Sequence, residues 1–159
     1  MNKITIIYYS RTGNTELMAK TIKAGAEDAG AKITLKKAEE SSADDVLNCD
    51  IVLFGSPNYF SYMAGAIQYI LEECFVKLQD KDIIRPYAVF SSAGTMGGEA
   101  AIFSIEKICD GFGKRFGKFK FKKIAEGIAT PKTNSPGKPS KEILEQCRQL
   151  GKKIARLQI

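Results

Sequence analysis

The sequence predicts an α/β protein of three layers, in which a five-stranded parallel sheet of strand order 2-1-3-4-5 lies between two layers of helices. Short apolar or β-branched runs alternate with helical patterns along the chain, as in right-handed β-α-β crossovers. Three runs, 3–9, 50–57 and 85–94, are apolar enough for central strands buried on both faces. The runs 31–38 and 116–129 alternate apolar with polar residues, which is typical of edge strands.

Helical patterns fill the intervals between these runs. The first covers 14–29 and is followed by Gly30, a residue suited to ending a helix. Further helices are expected from about 64 to 78 and from about 98 to 112. After a loop rich in Pro and Ser, 131–140, a last amphipathic helix carries apolar side chains at Ile143, Leu144, Cys147, Leu150, Ile154 and Leu157.

Length and composition limit what kind of protein this can be. With 159 residues, of which 44% are hydrophobic, the chain is expected to form a single domain, residues 1–159, with a substantial core. The amino-terminal run lacks the zones of a secretory signal. No run approaches the roughly 20 apolar residues of a membrane span, so we expect a cytoplasmic protein that has no membrane partner.

Four cysteines lie far apart in the chain, and histidine is absent. No metal site is predicted, because a common zinc site would need a C-x-x-C pair or histidines. Reduced and mostly buried thiols are expected instead. The lack of an imidazole also excludes the serine and cysteine mechanisms that use one as a base, so an enzyme built on this chain would need a cofactor for its chemistry.

The six residues after the first strand, "SRTGNT" at 10–15, combine three hydroxyls, a glycine and an asparagine, with no carboxylate. They are expected at the amino end of the first helix, where free backbone N–H groups and the helix dipole favour an anion. Gly13 lets the backbone approach a ligand closely, and the hydroxyls of Ser10, Thr12 and Thr15 can donate to phosphate oxygens. An ordinary helix cap needs one hydroxyl rather than three, so we favour phosphate binding over capping.

This stretch resembles the phosphate motif of the flavodoxin family, Ser/Thr-x-Thr-Gly-x-Thr, at every defined position. Flavodoxin is itself a standard example of ligand binding where the winding of a parallel sheet reverses, between strands one and three. The resemblance covers essentially the whole chain and implies FMN as the cofactor. It also implies that the FMN phosphate is bound by Ser10, Arg11, Thr12, Gly13, Asn14 and Thr15.

The loop after the third strand brings aromatic residues to the expected ligand end. Tyr59, Phe60 and Tyr62 can stack on an isoalloxazine ring, or they can serve only helix packing. The stretch resembles the Gly-Ser-Pro-Thr-x-Phe-Gly loop of flavodoxin-like NAD(P)H:quinone oxidoreductases of the tryptophan-repressor-binding-protein type. This resemblance implies flavin contacts from Ser56, Pro57, Asn58, Tyr59, Phe60 and Ser61, with Asn58 in place of the threonine and Ser61 in place of the glycine.

The loop after the fourth strand, "SSAGTMGGEA" at 91–100, consists mostly of small residues that let a backbone lie flat against a ring. The hydroxyls of Ser91, Ser92 and Thr95 can meet the pyrimidine edge or the ribityl chain. The loop resembles the third flavin loop of flavodoxins and of the quinone reductases. The resemblance implies contacts from Ser91, Ser92, Ala93, Gly94, Thr95, Met96, Gly97 and Gly98, and Met96 stands where flavodoxins usually cover the ring with a tyrosine.

Two functions are compatible with these loops. The first is electron transfer between redox partner proteins, and the second is an NAD(P)H-dependent reductase that acts on FMN or a quinone. The compact length, without the insertions of larger relatives, favours the carrier, whereas an uncovered ring face at Met96 would admit a nicotinamide or quinone. We therefore predict an FMN-binding electron-transfer protein, a monomer or weak dimer, and leave its status as an enzyme and its use of NAD(P)H open.

The net charge of +6 is concentrated in the segment 114–123, which has six basic residues and no acid. Typical flavodoxins are acidic, so this basic protein is expected to prefer a partner with an acidic surface. Lysines that alternate with Phe119 and Phe121 on an edge strand also guard against strand-to-strand aggregation, and we favour that interpretation over docking. No sequence-reading motif accompanies the segment, so no nucleic-acid partner is predicted.

Overall fold

A computed structural model of the chain describes residues 1–115 and 117–159. The strands are β1 (Lys3–Tyr8), β2 (Lys32–Lys37), β3 (Ile51–Tyr59), β4 (Tyr62–Met63), β5 (Ile84–Ser92), β6 (Lys120–Lys123) and β7 (Ile128–Ala129). The helices are α1 (Asn14–Asp28), α2 (Ala43–Leu47), α3 (Gly65–Leu78), α4 (Glu99–Gly111) and α5 (Lys141–Ala155), with a 3-10 turn at Ala38–Glu40. Among these described residues, no helix is long and apolar enough to cross a membrane.

The strands form a parallel sheet of order β2-β1-β3-β5-β6. Two strands share the fifth position of the sheet. The strand β6 pairs with the first half of β5, and β7 pairs with its second half. The predicted order 2-1-3-4-5 is therefore confirmed, with the fifth strand divided in two. Residues 124–127 leave the ladder where Lys123 pairs with Glu106 and Glu126. Phe116, the first residue of the predicted strand, lies outside the described residues.

Hydrophobic cores lie on both faces of the sheet, because side chains alternate between the faces along each strand. On one face Ile7, Val52 and Phe54 pack with α3 and α4. On the other face Ile6 and Leu53 pack with α1 and α5. All five side chains are fully buried, which confirms that β1 and β3 occupy the centre of the sheet.

The described structure differs from the sequence expectations at three short stretches. The helix α2 and its capping box at Ser42 were not predicted, since five residues are too few to show a helical period. The last helix ends at Ala155, so Leu157 packs against the core from beyond it. In addition, β4 pairs antiparallel with the end of β3. This hairpin shapes one wall of the site described next.

Candidate functional site

Three loops meet at the carboxyl end of the sheet because they follow β1, β3 and β5, which are neighbouring parallel strands. Loop one is residues 9–13, loop two is residues 55–64, and loop three is residues 91–98. The Tyr9 N–H donates to the Gly55 carbonyl at 3.0 Å, which joins loops one and two. The amide of Asn58 donates to the Gly97 carbonyl at 2.7 Å, which joins loops two and three. The predicted site residues are thus brought together.

Loop one turns into α1 through Gly13, which has a left-handed backbone with a φ of 95°. A Cβ atom at Gly13 would meet nothing within 4 Å, so the glycine serves the backbone conformation and leaves open space in front of the helix. The Ser10 hydroxyl accepts hydrogen bonds from the N–H groups of Gly13 and Glu16, each at 3.2 Å. Ser10 therefore caps the turn, as the alternative interpretation of the motif expects of one hydroxyl.

Other backbone donors of this turn remain available to a ligand. The N–H groups of Arg11, Thr12, Asn14 and Thr15 have no acceptor among the described residues. The side chains of Arg11 and Thr12 are exposed, and Arg11 has no carboxylate within ion-pair distance in the described part of the chain. Four free donors at a helix amino terminus, beside a cation and an open glycine, fit a phosphate group.

Thr15 is placed differently from Thr12. Its side chain is buried, and its hydroxyl lies 2.7 Å from the hydroxyl of Ser92 in loop three. The amide of Asn14 donates to the Gly137 carbonyl at 3.3 Å and so ties the start of α1 to the loop 131–140. The hydroxyls of Thr12 and Thr15, which look equivalent in the sequence motif, thus have different surroundings.

Loop two contains a two-residue hairpin turn between β3 and β4. Phe60 and Ser61 both have left-handed backbones, with φ angles of 54° and 61°, although neither is a glycine. Such conformations cost roughly 1–2 kcal/mol per residue and cluster at functional sites. The Phe60 ring is fully exposed, so it packs against no helix. Burial, and secondarily Tyr9, raises the pKa of Tyr59, while the Arg11 guanidinium acts in the opposite direction.

The body of loop two is fixed by hydroxyls. The Ser56 hydroxyl donates to the Pro57 carbonyl at 2.7 Å and accepts from the Ala64 N–H at 2.8 Å. The Ser104 hydroxyl of α4 accepts from the Met63 N–H at 3.0 Å. Because Ser56 and Ser104 are buried, these bonds hold both ends of the loop in place. The hydroxyl of Ser56 is thus already used within the protein, whereas the N–H groups of Phe60 and Ser61 have no acceptor among the described residues.

The amide of Asn58 has one buried atom without a partner. Its Nδ2 donates to the Gly97 carbonyl, while Oδ1 is buried and receives no hydrogen bond from the described residues. The reverse orientation would put two oxygens face to face, so the hydrogen bond fixes the amide. A buried acceptor without a donor is costly unless a ligand satisfies it, and the N–H of a flavin ring is a donor of the required kind.

Loop three combines a fixed base with an exposed tip. Ser91 and Ser92 are buried, and a Cβ atom at Gly98 would lie 2.7 Å from the Ser91 carbonyl oxygen. The tip residues are exposed, and the Met96 side chain is 69% exposed. The N–H groups of residues 94–97 have no acceptor in the described part of the chain. Neither loop two nor loop three carries a charged side chain.

Thr130, which lies in none of the sequence motifs, contacts loop three at both of its ends. No motif could have indicated this residue, because the contact depends on how β7 pairs with β5. A groove of about 740 Å³ also lies elsewhere, between α3 and α4, and contains Phe103 and Tyr62. Of the predicted aromatic residues only Tyr62 lines that groove, which therefore adjoins loop two but includes no residue of loops one and three.

Comparison with known proteins shows which family has these loops. The family model described as flavodoxin matches residues 6–148. The chain belongs to the flavodoxin family. It is 31% identical to a flavodoxin of Aquifex aeolicus over 161 residues, covering 98% of this chain and 86% of that one. It is 34% identical to a flavodoxin of Megasphaera elsdenii over 96 residues, covering 60% of this chain and 69% of that one.

Solved structures agree on the fold of this flavodoxin. The structure of a flavodoxin from the domain Archaea has a TM-score of 0.72 and 21% identity, and 96% of each chain is covered. Flavodoxins bind FMN and transfer electrons, so the predictions of cofactor and of electron transfer are confirmed. The resemblance of loops two and three to quinone reductases receives no support from the relatives named here.

Proposed function

We propose that this flavodoxin carries electrons between proteins, and that its three loops divide the binding of FMN between phosphate and ring. The observation that carries the proposal is the set of four free N–H donors beside Gly13 at the start of α1. A phosphate needs several donors and a favourable dipole, and this turn has both. When bound, FMN supplies a ring that accepts and releases electrons, which the side chains of this protein cannot do.

In loop one, the backbone from Arg11 to Thr15 binds the phosphate, with Thr12 and Arg11 adding side-chain donors. Ser10 and Asn14 hold this turn in shape through their hydrogen bonds. An Arg guanidinium pairs well with phosphate oxygens because it presents several donors in one plane. These assignments explain why the motif has no carboxylate.

In loops two and three, backbone N–H groups meet the oxygens of the ring, and Asn58 supplies an acceptor. The free N–H groups are those of Phe60, Ser61 and residues 94–97. We assign Tyr59 and Met96 to the faces of the ring, and Pro57, Ala93, Gly97 and Gly98 to the walls of the cleft. The side chains of Ser56, Ser91 and Ser92 are buried, so we assign them to supporting the loops from within the protein.

The lack of charged side chains in loops two and three favours the carrier over the reductase. Loops two and three contain no lysine or arginine that could hold the phosphates of a nicotinamide nucleotide. A reductase needs such a second binding site, whereas a carrier needs only an exposed ring edge. One observation favours the reductase: Met96 is exposed, which leaves space for a second planar molecule.

The basic segment favours an acidic partner protein. Five of its side chains are exposed and have no carboxylate within ion-pair distance among the described residues: Lys114, Arg115, Lys118, Lys120 and Lys122. Because β6 pairs with the first residues of β5, the segment lies toward the end of the sheet opposite the three loops. It would therefore act by long-range attraction, which raises association rates at low ionic strength.

The cytoplasm is the compartment that we propose. All four cysteines are buried and free. Burial raises the pKa of the Cys74 and Cys147 thiols to about 12, so they form little of the reactive thiolate. Unpaired thiols of this kind are typical of reducing compartments. A monomer or weak dimer remains our proposal for the oligomeric state, which analytical ultracentrifugation of the FMN-loaded protein would measure.

Anaerobic mixing with NADH or NADPH tests the carrier. We expect neither nucleotide to bleach the flavin absorbance at about 450 nm, because direct hydride transfer needs a nicotinamide site, whereas dithionite should bleach it fully. Rapid bleaching by either nucleotide would support the reductase instead. Lack of FMN binding by the purified chain would contradict the proposed site itself.

A second experiment tests the acidic partner. Electron transfer from the reduced protein to an acidic one-electron protein should be several-fold slower in about 0.5 M salt, a choice of high ionic strength at which screening is nearly complete. The double variant Lys118→Glu/Lys120→Glu should show a similar loss at low salt. Lys152→Glu/Lys153→Glu on α5 changes the net charge equally outside the segment and is the matched control. Equal losses in both variants would mean that net charge, rather than the segment, governs association.

A further inference from the structure

Thr130 follows β7 and bonds to loop three at both ends. Its N–H donates to the Ser91 carbonyl at 3.0 Å, and its own carbonyl accepts from the Gly98 N–H at 2.9 Å. Its hydroxyl oxygen accepts from the Ala93 N–H at 2.9 Å. The side chain is only 8% exposed. One buried residue thus contacts the first, third and last residues of an eight-residue loop.

We propose that Thr130 is a positioning residue for the FMN ring, because it holds loop three in the conformation that meets the ring. The inference rests on the proposed function, since loop three contacts the ring only if the three-loop cleft binds FMN. Thr130 is not a contact for the phosphate. Its removal should therefore weaken the binding of any flavin, whether or not that flavin carries a phosphate.

Loop three needs an external support because it has almost none of its own. Its one described internal hydrogen bond runs from the Ser91 hydroxyl to the Ser92 carbonyl at 3.4 Å, and every other described bond of residues 92–97 leads to another segment. Three of the eight loop residues are glycines, which have little conformational preference. The conformation of the loop is therefore determined by its partners, which are Thr15, Asn58, Thr130 and Thr133.

Among those partners, Thr130 has the largest control of the loop backbone. Thr15 bonds only to a side chain, whereas Asn58 and Thr133 each bond to one carbonyl. Gly97 also lies tightly against the segment after β7, because a Cβ atom there would be 3.0 Å from the Lys132 nitrogen and 3.3 Å from the Thr130 oxygen. Movement of Thr130 would therefore shift the loop along most of its length.

The hydroxyl of Thr130 can be tested separately from its backbone. Thr130→Val keeps the shape of the side chain and removes the acceptor for the Ala93 N–H, while Thr130→Ser keeps the hydroxyl. Thr133→Val is the matched control, since Thr133 bonds to loop three through its backbone N–H, which the variant keeps, while its hydroxyl accepts from the Ser135 N–H at 3.1 Å. Each variant is prepared as the full chain, and its affinities for FMN and for riboflavin are measured by flavin fluorescence.

We expect Thr130→Val to weaken the binding of FMN and of riboflavin by the same factor, about tenfold, which is the size expected for one buried hydrogen bond. Thr130→Ser should stay within about threefold of the unmodified protein, and Thr133→Val should not differ from it. The visible circular dichroism of bound FMN should change in Thr130→Val alone, because the ring then lies in an altered loop. A purely structural role would instead lower the melting temperature of the apoprotein and leave both affinities unchanged.

If Thr130→Val does not fold, hydrogen exchange on the unmodified protein decides the question. The Ala93 N–H should exchange slowly in both the apoprotein and the FMN complex, because Thr130 bonds to it in each. Fast exchange in the apoprotein, or affinities unchanged in folded Thr130→Val, would overturn the proposal. Failure of the unmodified protein to bind FMN would overturn the proposed function, and the two outcomes are therefore distinguishable.

Discussion

The hydroxyls of Thr15 and Ser92 lie 2.7 Å apart, and their hydrogen bond joins the start of α1 to the end of β5, where loop three begins. Both side chains are buried, so neither hydroxyl has water as a substitute partner. Thr12, the other threonine of the motif, is exposed at the turn before α1. The motif therefore combines a residue that holds the loops together with one that is free to meet a ligand.

Thr15→Val and Thr12→Ala should separate these two roles. Thr15→Val leaves the Ser92 hydroxyl buried without a partner, so the free energy of unfolding of the apoprotein should fall by about 1–3 kcal/mol in urea titrations. Thr12→Ala should leave the stability of the apoprotein unchanged and weaken the binding of FMN by about 1–3 kcal/mol, the range for a hydrogen bond to a charged group. Riboflavin, which lacks the phosphate, should bind Thr12→Ala as well as it binds the unmodified protein. Equal apoprotein stability in both variants would contradict the structural role of Thr15.

A close approach of α1 and α5 depends on a pair of glycines, and it gives the second prediction. A Cβ atom at Gly25 would lie 2.1 Å from the Arg148 carbonyl oxygen, and one at Gly151 would lie 2.1 Å from the Ile22 carbonyl oxygen. Gly25→Ala should therefore lower the free energy of unfolding by about 1–3 kcal/mol, because the helices must move apart. Gly65→Ala is the control, since α3 begins there in open space and alanine favours helix. A Gly25→Ala protein as stable as the control variant would show that the helices separate at no cost.

The central architecture could be predicted from the sequence because the burial of a strand determines its pattern of apolar and polar residues. Uninterrupted apolar runs at β3 and β5 identify strands covered on both faces, and alternation at β2 identifies an edge. The division of the fifth strand shows no such pattern. At the break Lys123 meets Glu106 of α4, a contact between residues that only the folded chain brings together.

The loops that form the candidate site could be predicted from the sequence, but the roles of individual side chains could not. A motif identifies the turn around Gly13, because the backbone conformation requires a glycine there. It does not reveal that Ser10 caps the turn or that Thr15 bonds to Ser92, since hydroxyls of equal chemistry acquire their roles from tertiary partners. Thr130 lay outside every motif for the same reason.

Buried thiols give the third prediction, a loss of stability at alkaline pH. Burial raises the pKa of Cys147 from 9.0 to about 12 in the folded protein. Between these values the unfolded chain has lost a proton that the folded chain still binds, so the free energy of unfolding falls as the pH rises above about 9. Urea unfolding at several pH values between about 8 and 11, under reducing conditions, should show a smaller loss in Cys147→Ala than in the unmodified protein. An identical pH dependence in both proteins would contradict a protonated, buried Cys147.

The exposed Met96 allows the carrier and the reductase to be distinguished by one substitution. Its side chain is 69% exposed at the tip of loop three, and no aromatic residue of that loop covers the ring. In a carrier, Met96→Tyr should strengthen FMN binding by about 0.5–1.5 kcal/mol through ring stacking, and it should shift the reduction potentials of the FMN. Turnover with NAD(P)H and a quinone should stay slow. Isothermal titration, spectroelectrochemistry and steady-state assays measure these three quantities. Met96→Leu keeps the apolar character without a ring and is the control. Fast quinone reduction by the unmodified protein that Met96→Tyr abolishes and Met96→Leu retains would show instead that a second planar molecule reacts at the uncovered face.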